Sequence, residues 1–187
     1  IKAAEKVKKA LMQNLLSGKL KPDGSARTEE EFYIDEKFGK VPKGWILGKV
    51  KKVIKLKNGK GNTTSNLKNE PDTEYNIPVF GGNGLRGFTD TYTHDGIFAL
   101  IGRQGALCGN INLVQGENFI SEHAIAVQAN QESSTQWLAM WLDFMQLNRF
   151  SESSAQAGLA VNKLVKFDIK VPCLEEQTKI ANFLSAI

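Results

Sequence analysis

The spacing of apolar residues changes twice along this chain, and that change is the strongest constraint on its fold. Ile1, Ala4, Val7, Leu11 and Leu15 recur at helical spacing, Lys2, Lys6 and Lys9 lie elsewhere on the wheel, and Ser17-Gly18 closes the run. At the far end Pro172 opens a segment with early acids, Glu175 and Glu176, after which Ile180, Phe183, Leu184 and Ile187 share one helical face. Between these ends the pattern shortens. Val165, Phe167, Ile169 and Val171 alternate with Lys166, Asp168 and Lys170, which predicts a half-buried strand. Residues 97–101 form a short apolar run closed by Gly102-Arg103-Gln104-Gly105 and followed by residues 106–114, which predicts a hairpin. Residues 76–80 and 119–128 read as further strands. One internal helix is predicted over 135–147, capped by Ser133 or Ser134, with Trp137, Leu138, Trp141, Leu142 and Met145 as its apolar face. The expectation is an α/β (α+β) chain: a sheet-rich domain with an internal helix, entered and left on helices. Two such helices invite pairing of Val7, Leu11 and Leu15 with Ile180, Phe183, Leu184 and Ile187.

At 187 residues and 41% hydrophobic content the chain buries one substantial core, not two full-sized ones. It contains no apolar stretch of the roughly 18 residues that span a bilayer, and Ile1-Lys2-Ala3-Ala4-Glu5 lacks the core of a signal peptide, so a cytoplasmic location is expected and no membrane partner. The first residue is not Met and the helical pattern is already under way there, which suggests a piece of something longer. Cys108 and Cys173 stand far apart without CxxC spacing and read as reduced, buried thiols.

Charge is more informative than its net value of +4, because residues 41–69 carry eight lysines (Lys43, Lys49, Lys51, Lys52, Lys55, Lys57, Lys60, Lys68) and no acid. Such a block suits a polyanion, or alternatively a solvated lysine face. The other motifs argue against chemistry in this chain. Gly82-Asn83-Gly84-Leu85-Arg86-Gly87 matches GxGxxG, but the β-branched, aromatic residues after it would not open the helix that a dinucleotide site needs. A turn that brings backbone close to another surface accounts for it better. Ser121-Glu122-His123 has the residue types of a hydrolase without a GxSxG elbow, and strand neighbours point to opposite faces. His94 and His123 are the only histidines, with no HExxH or Cys/His cluster, so no metal site is expected. The five prolines all stand alone, which excludes the Asn/Asp-Pro-Pro-aromatic pocket of a base methyltransferase.

What remains is four polar, glycine-flanked loops, at 57–62, 83–86, 102–105 and 158–163. Arg, Asn, Gln and Lys reach base edges or phosphates, and loops on a rigid sheet can present them to a groove. The candidate DNA-binding residues are Lys51, Lys55, Lys57, Asn58, Lys60, Asn62, Asn83, Arg86, Arg103, Gln104, Asn162 and Lys163.

The order of segments is recognisable as a whole. Gly39-Lys40-Val41-Pro42-Lys43-Gly44-Trp45, the Leu-Lys-Asn-Gly turn at 56–59, Ile77-Pro78-Val79-Phe80-Gly81-Gly82-Asn83-Gly84, Leu100-Ile101-Gly102-Arg103-Gln104-Gly105, Ser121-Glu122-His123-Ala124-Ile125, and Val171-Pro172-Cys173-Leu174-Glu175-Glu176-Gln177-Thr178-Lys179-Ile180-Ala181 follow one another over nearly the whole chain. This set resembles a target recognition domain of a type I restriction-modification specificity subunit, and Leu11-Met12-Gln13-Asn14-Leu15-Leu16-Ser17-Gly18 resembles the tail of that family's long helix.

The resemblance implies two recognition domains separated by long antiparallel coiled-coil helices, each reading half of a split double-stranded DNA target. It implies docking to methyltransferase subunits, which bring S-adenosylmethionine, and to a restriction subunit. ATP and Mg are likewise expected on partner subunits, with no cofactor in this chain. It divides the chain into the end of a spacer helix at 1–18, a linker at 19–44, the recognition domain at 45–171 and the start of a second spacer helix at 172–187. One recognition domain makes this either a half-subunit that pairs with a second copy or a fragment. The runner-up is a helix-mediated scaffold binding only protein, and the third reading is an enzyme built on residues 121–123.

Overall fold

The computed structural model describes residues 2–61, 67–105, 107–150 and 161–187. In chain order the elements are α1 (Lys2–Leu16), β1 (Phe32–Asp35), β2 (Gly39–Pro42), β3 (Ile46–Lys49), β4 (Ile54–Asn58), β5 (Ile77–Gly81), β6 (Gly84–Thr89), β7 (Phe98–Gly102), β8 (Ile111–Val114), β9 (Phe119–Ile120), β10 (Ala124–Ala129), α2 (Thr135–Phe144), α3 (Val161–Leu164), β11 (Asp168–Val171) and α4 (Leu174–Ser185).

A four-stranded antiparallel sheet, in the order β4-β10-β7-β8, divides the core. Alternate residues of β7 serve its two faces. Ala99 and Ile101 join Ile125, Val127 and the helices in the larger cluster, while Phe98 and Leu100 join Val114, Ile120, Ala124 and Ala126 in a smaller one. Burial on both faces explains why 97–101 reads as a continuous apolar run rather than an alternation. Phe80, from a second sheet of order β6-β5-β9, packs onto the smaller cluster. A further pairing joins β3 to β11.

The stretch expected as one strand at 119–128 is two. β9 runs parallel to β5 and β10 antiparallel to β4 and β7, so the chain changes sheets at Ser121, Glu122 and His123, where the Ala124 N–H returns to the Ser121 carbonyl at 3.0 Å. The strand expected over 165–171 is shorter, because the carbonyls of Val165 and Phe167 accept from Lys51 and Val50, just past the end of β3. α2 starts as the sequence predicts, with Ser134 Oγ accepting from Trp137 N–H at 3.3 Å, but it stops at Phe144, ahead of the left-handed Gln146 (φ 49°).

The segment expected as a linker carries ordered structure. β1 and β2 form a hairpin whose turn is held by Asp35 Oδ1, accepting from Lys37 and Phe38 N–H at 2.9 and 2.8 Å. Val41, Pro42 and Trp45 are buried. Arg27 ties this segment to both terminal helices. Its guanidinium donates to the carbonyls of Gly18 and Leu20, at 3.0 and 2.8 Å, and pairs with Glu176, whose other oxygen accepts from Trp45 Nε1 at 3.0 Å.

The next residue, Gln177, is fully buried, and it accepts from Ser134 N–H at 2.7 Å and donates to Pro172 O at 2.9 Å. The Glu-Gln pair at the start of α4 is therefore a structural clasp. Leu11, Leu15, Ile180, Phe183 and Leu184 share the larger core, whereas Val7 and Ile187 are exposed, the latter beyond the end of α4. Cys108 is buried as expected. Cys173 is exposed instead, because it occupies the N-cap of α4, outside the packed face.

Candidate nucleic-acid interface

The turn at 121–123 is the point on which three other loops converge. Lys60 N–H donates to Ile120 O at 2.9 Å, Ser121 N–H to Phe80 O at 2.8 Å, and Arg103 N–H to His123 O at 3.0 Å. Glycine makes these approaches possible. A Cβ on Gly59 would lie 2.0 Å from Ser121 O, one on Gly82 would lie 2.7 Å from His123 O, and one on Gly102 would lie 2.7 Å from Gly82 O. The glycine-rich stretch at 82–87 thus brings backbone against backbone, as its sequence suggested, in a β5–β6 hairpin rather than a helix start.

A cleft of about 450 Å³ opens at this junction, lined by Gly81, Gly82, Asn83, Arg86, Gln104, Gly105 and His123. Its floor is stitched backbone and its polar side chains stand on the walls. Asn83, Arg86, Gln104 and His123 are exposed. Two buried polar atoms beside the floor lack a partner, Ser121 Oγ, 3.4 Å from the position of a Cβ on Gly81, and Asn112 Nδ2, whose companion oxygen is 3.9 Å from that of Gly84. Ser121 Oγ makes no hydrogen bond to His123, so the nucleophile–base contact of a hydrolase is not formed.

Two lysines of the block find acids outside residues 41–69. Lys49 pairs with Asp168 at 2.7 Å and Lys68 with Asp72. Lys57 lies on the sheet face away from the helices, with Nζ 5.0 Å from the Phe98 ring centroid. Buried His94 stacks edge-on against that ring, and its pKa is lowered by desolvation first and then by the charges of Lys57 and Lys60.

Asn58 and Lys60 are at the cleft end of β4, since Asn58 pairs with Ile125. Lys55 is farther along, opposite Gln128. Lys51 lies on the 3-10 turn at the other end, where its N–H meets Val165 O, and Lys163 lies on α3 just before that contact. The candidates therefore separate by position. Asn58, Lys60, Asn83, Arg86, Arg103 and Gln104 gather around the cleft, while Lys57 and Lys55 lie along the sheet and Lys51 and Lys163 towards its opposite end. Asn62 and the side chain of Asn162 lie outside the described residues. His123 is the cleft residue that sequence reasoning weighed only as part of a hydrolase and left out of the DNA-binding candidates, because its neighbours suggested a strand instead of the turn that turns it outward.

Among the described residues no three His, Cys, Asp or Glu side chains are grouped to hold a metal ion, and no helix is long and apolar enough to cross a membrane.

Residues 42–187 match the family described as the type I restriction modification DNA specificity domain. The chain is 36% identical over 163 residues to the specificity subunit of the type I restriction enzyme EcoprrI of Escherichia coli, which covers 86% of this chain and 41% of that protein. Its fold superposes on the type I restriction-modification S subunit of M. genitalium with a TM-score of 0.72 at 16% identity, covering 99% of this chain and 47% of that one. A chain from a structure concerned with complex assembly and conformational transition of the type I system gives a TM-score of 0.67 at 19% identity, covering 98% and 45%. The chain thus spans under half the length of each of these proteins.

Proposed function

The chain belongs to the type I restriction-modification DNA specificity family, and from that premise we propose that it reads one half of a split duplex DNA target and performs no chemistry itself. The observation that carries this reading is the convergence of glycine-stitched loops on one cleft walled by Asn83, Arg86, Gln104 and His123. A rigid backbone floor holds hydrogen-bonding side chains at fixed spacing, which is what discrimination between base edges requires. Lys60 beside it and Lys57 farther along the sheet supply the sequence-independent attraction to phosphates.

The partners that follow from the family are methyltransferase subunits carrying S-adenosylmethionine and a restriction subunit using ATP and Mg, in the cytoplasm. A second recognition domain comes from the rest of the same protein or from a second copy. Methylome sequencing of cells with and without the full protein tests the reading. Methylation at one bipartite motif should disappear with the protein, and an unchanged methylome refutes it.

A further inference from the structure

The chain has four arginines, and the fold gives partners to two of them: Arg27 pairs with Glu176, and Arg149 lies over the Phe150 ring at 4.7 Å. The side chains of Arg86 and Arg103 are exposed, with no ion pair or hydrogen bond among the described residues. Of these, Arg86 is in the cleft wall itself. Its Cδ lies 2.8 Å from where a Cβ on Gly81 would stand, so the absent side chain at 81 lets the stem of Arg86 lie against the cleft floor.

Among the described residues no carboxylate lines this wall. Its other side chains are amides and an imidazole, and the unpartnered Ser121 Oγ lies buried beside the same glycine. A guanidinium donates five N–H bonds and accepts none. Among bases exposed in the major groove, guanine alone presents two adjacent acceptors, O6 and N7. Adenine and cytosine each present an amino donor, and thymine presents one acceptor beside a methyl group.

We infer that the half-target contains a guanine whose O6 and N7 are read by the forked guanidinium of Arg86. The inference rests on the DNA-recognition reading above and adds the identity of one base. It also separates Arg86 from a phosphate contact, which a lysine at the same position would keep.

The test uses the full-length protein in its assembled complex and duplexes enriched from a pool of randomised sequence. Each invariant guanine of the enriched half-target is replaced in turn by 7-deazaguanine, which lacks the N7 acceptor. At one position the replacement should weaken binding to wild type by about fivefold or more. Arg86→Ala and Arg86→Lys should each lower the cognate-to-scrambled ratio by a similar factor and lose nothing more on the modified duplex. Enrichment of a half-target with no invariant guanine overturns the inference while leaving DNA recognition intact. So does a silent 7-deazaguanine at every position, or an Arg86→Lys variant that keeps the full ratio. Enrichment of no sequence at all removes the DNA-recognition reading and the inference with it. Because Arg86 is exposed and unpaired, and the modified base probes wild type directly, no outcome depends on a misfolded variant.

Discussion

A methyl group on Gly59 would lie 2.0 Å from the Ser121 carbonyl, a contact that only movement of backbone relieves. Gly59→Ala is therefore expected to cost about 1–3 kcal/mol in urea denaturation. It should also reduce discrimination between cognate and scrambled duplexes, because the Lys60 loop is pushed off the turn that carries His123. Wild-type stability and discrimination in this variant would mean that the junction is looser than its spacing implies. His94 offers a second measurement. Burial, with Lys57 and Lys60 behind it, lowers its pKa below the ordinary 6.5, so the unfolded chain takes up a proton before the folded one does. Stability from this residue is complete above pH 6.5 and is lost as the pH falls through the folded-state value. In a proton NMR titration, Lys57→Ala should move the His94 midpoint upward, by removing the larger of the two repulsions. An unmoved midpoint shows that Lys57 has no part in setting it.

At the scale of elements, α4 is held by its first turn as much as by its apolar face. Glu176 serves Arg27 and Trp45, and Gln177 serves Ser134 and Pro172, so two consecutive side chains join α4 to the segment after α1 and to the start of α2. Gln177→Ala strands a buried donor and a buried acceptor and is expected to cost about 2 kcal/mol or more. Arg27→Ala leaves Glu176 without its charge partner where both side chains are largely buried, at about 3 kcal/mol. Chemical denaturation decides both, and losses under about 0.5 kcal/mol would reduce the clasp to a surface contact.

The helix ends call for different probes. Leu15 is fully buried, so Leu15→Asp should unfold the domain and says nothing about partners. Val7 is 58% exposed on α1, and Val7→Asp should leave the melting temperature unchanged. If the apolar stripe of α1 continues into an assembly surface, the same variant should weaken assembly with the methyltransferase subunit in size-exclusion chromatography. Intact assembly confines the pairing role of α1 to its last turns.

For the molecule as a whole, the proposed engagement of DNA turns on the position of the charges. Lys60 is beside the cleft and Lys57 farther along the same side of the sheet, whereas Lys51 and Lys163 lie at the other end. Each phosphate contact steepens the log-log salt dependence of affinity by about 0.9. Lys57→Ala and Lys60→Ala are expected to flatten that slope for cognate and scrambled duplexes alike, and Lys51→Ala to change it little. A salt titration in the assembled complex checks this, and an equal effect of all three would extend the footprint along the full length of β4.

Periodicity alone located α1, α2, α4 and the β7–β8 hairpin, because helical spacing and paired apolar runs are local properties of a chain. The ordered motifs identified the family for the same reason, and Gly82 announced a close backbone approach without revealing what it approached. The tertiary structure decided everything that depends on distant residues meeting. Residues 119–128 became two strands because their neighbours belong to different sheets, and that break made Ser121-Glu122-His123 a junction instead of a strand. The clasp of Arg27 on Glu176 was hidden because its partner lies far along the chain, and the local hairpin at 32–42 because its strands carry no alternation of buried and exposed residues. The lysine-rich stretch looked unopposed until folding brought Asp168 to Lys49, and Arg86 emerged as the unpaired cation of the cleft wall only once every other arginine had been placed. A sequence shows which groups are present, but charge pairing and concavity are set by distances that only the folded chain possesses.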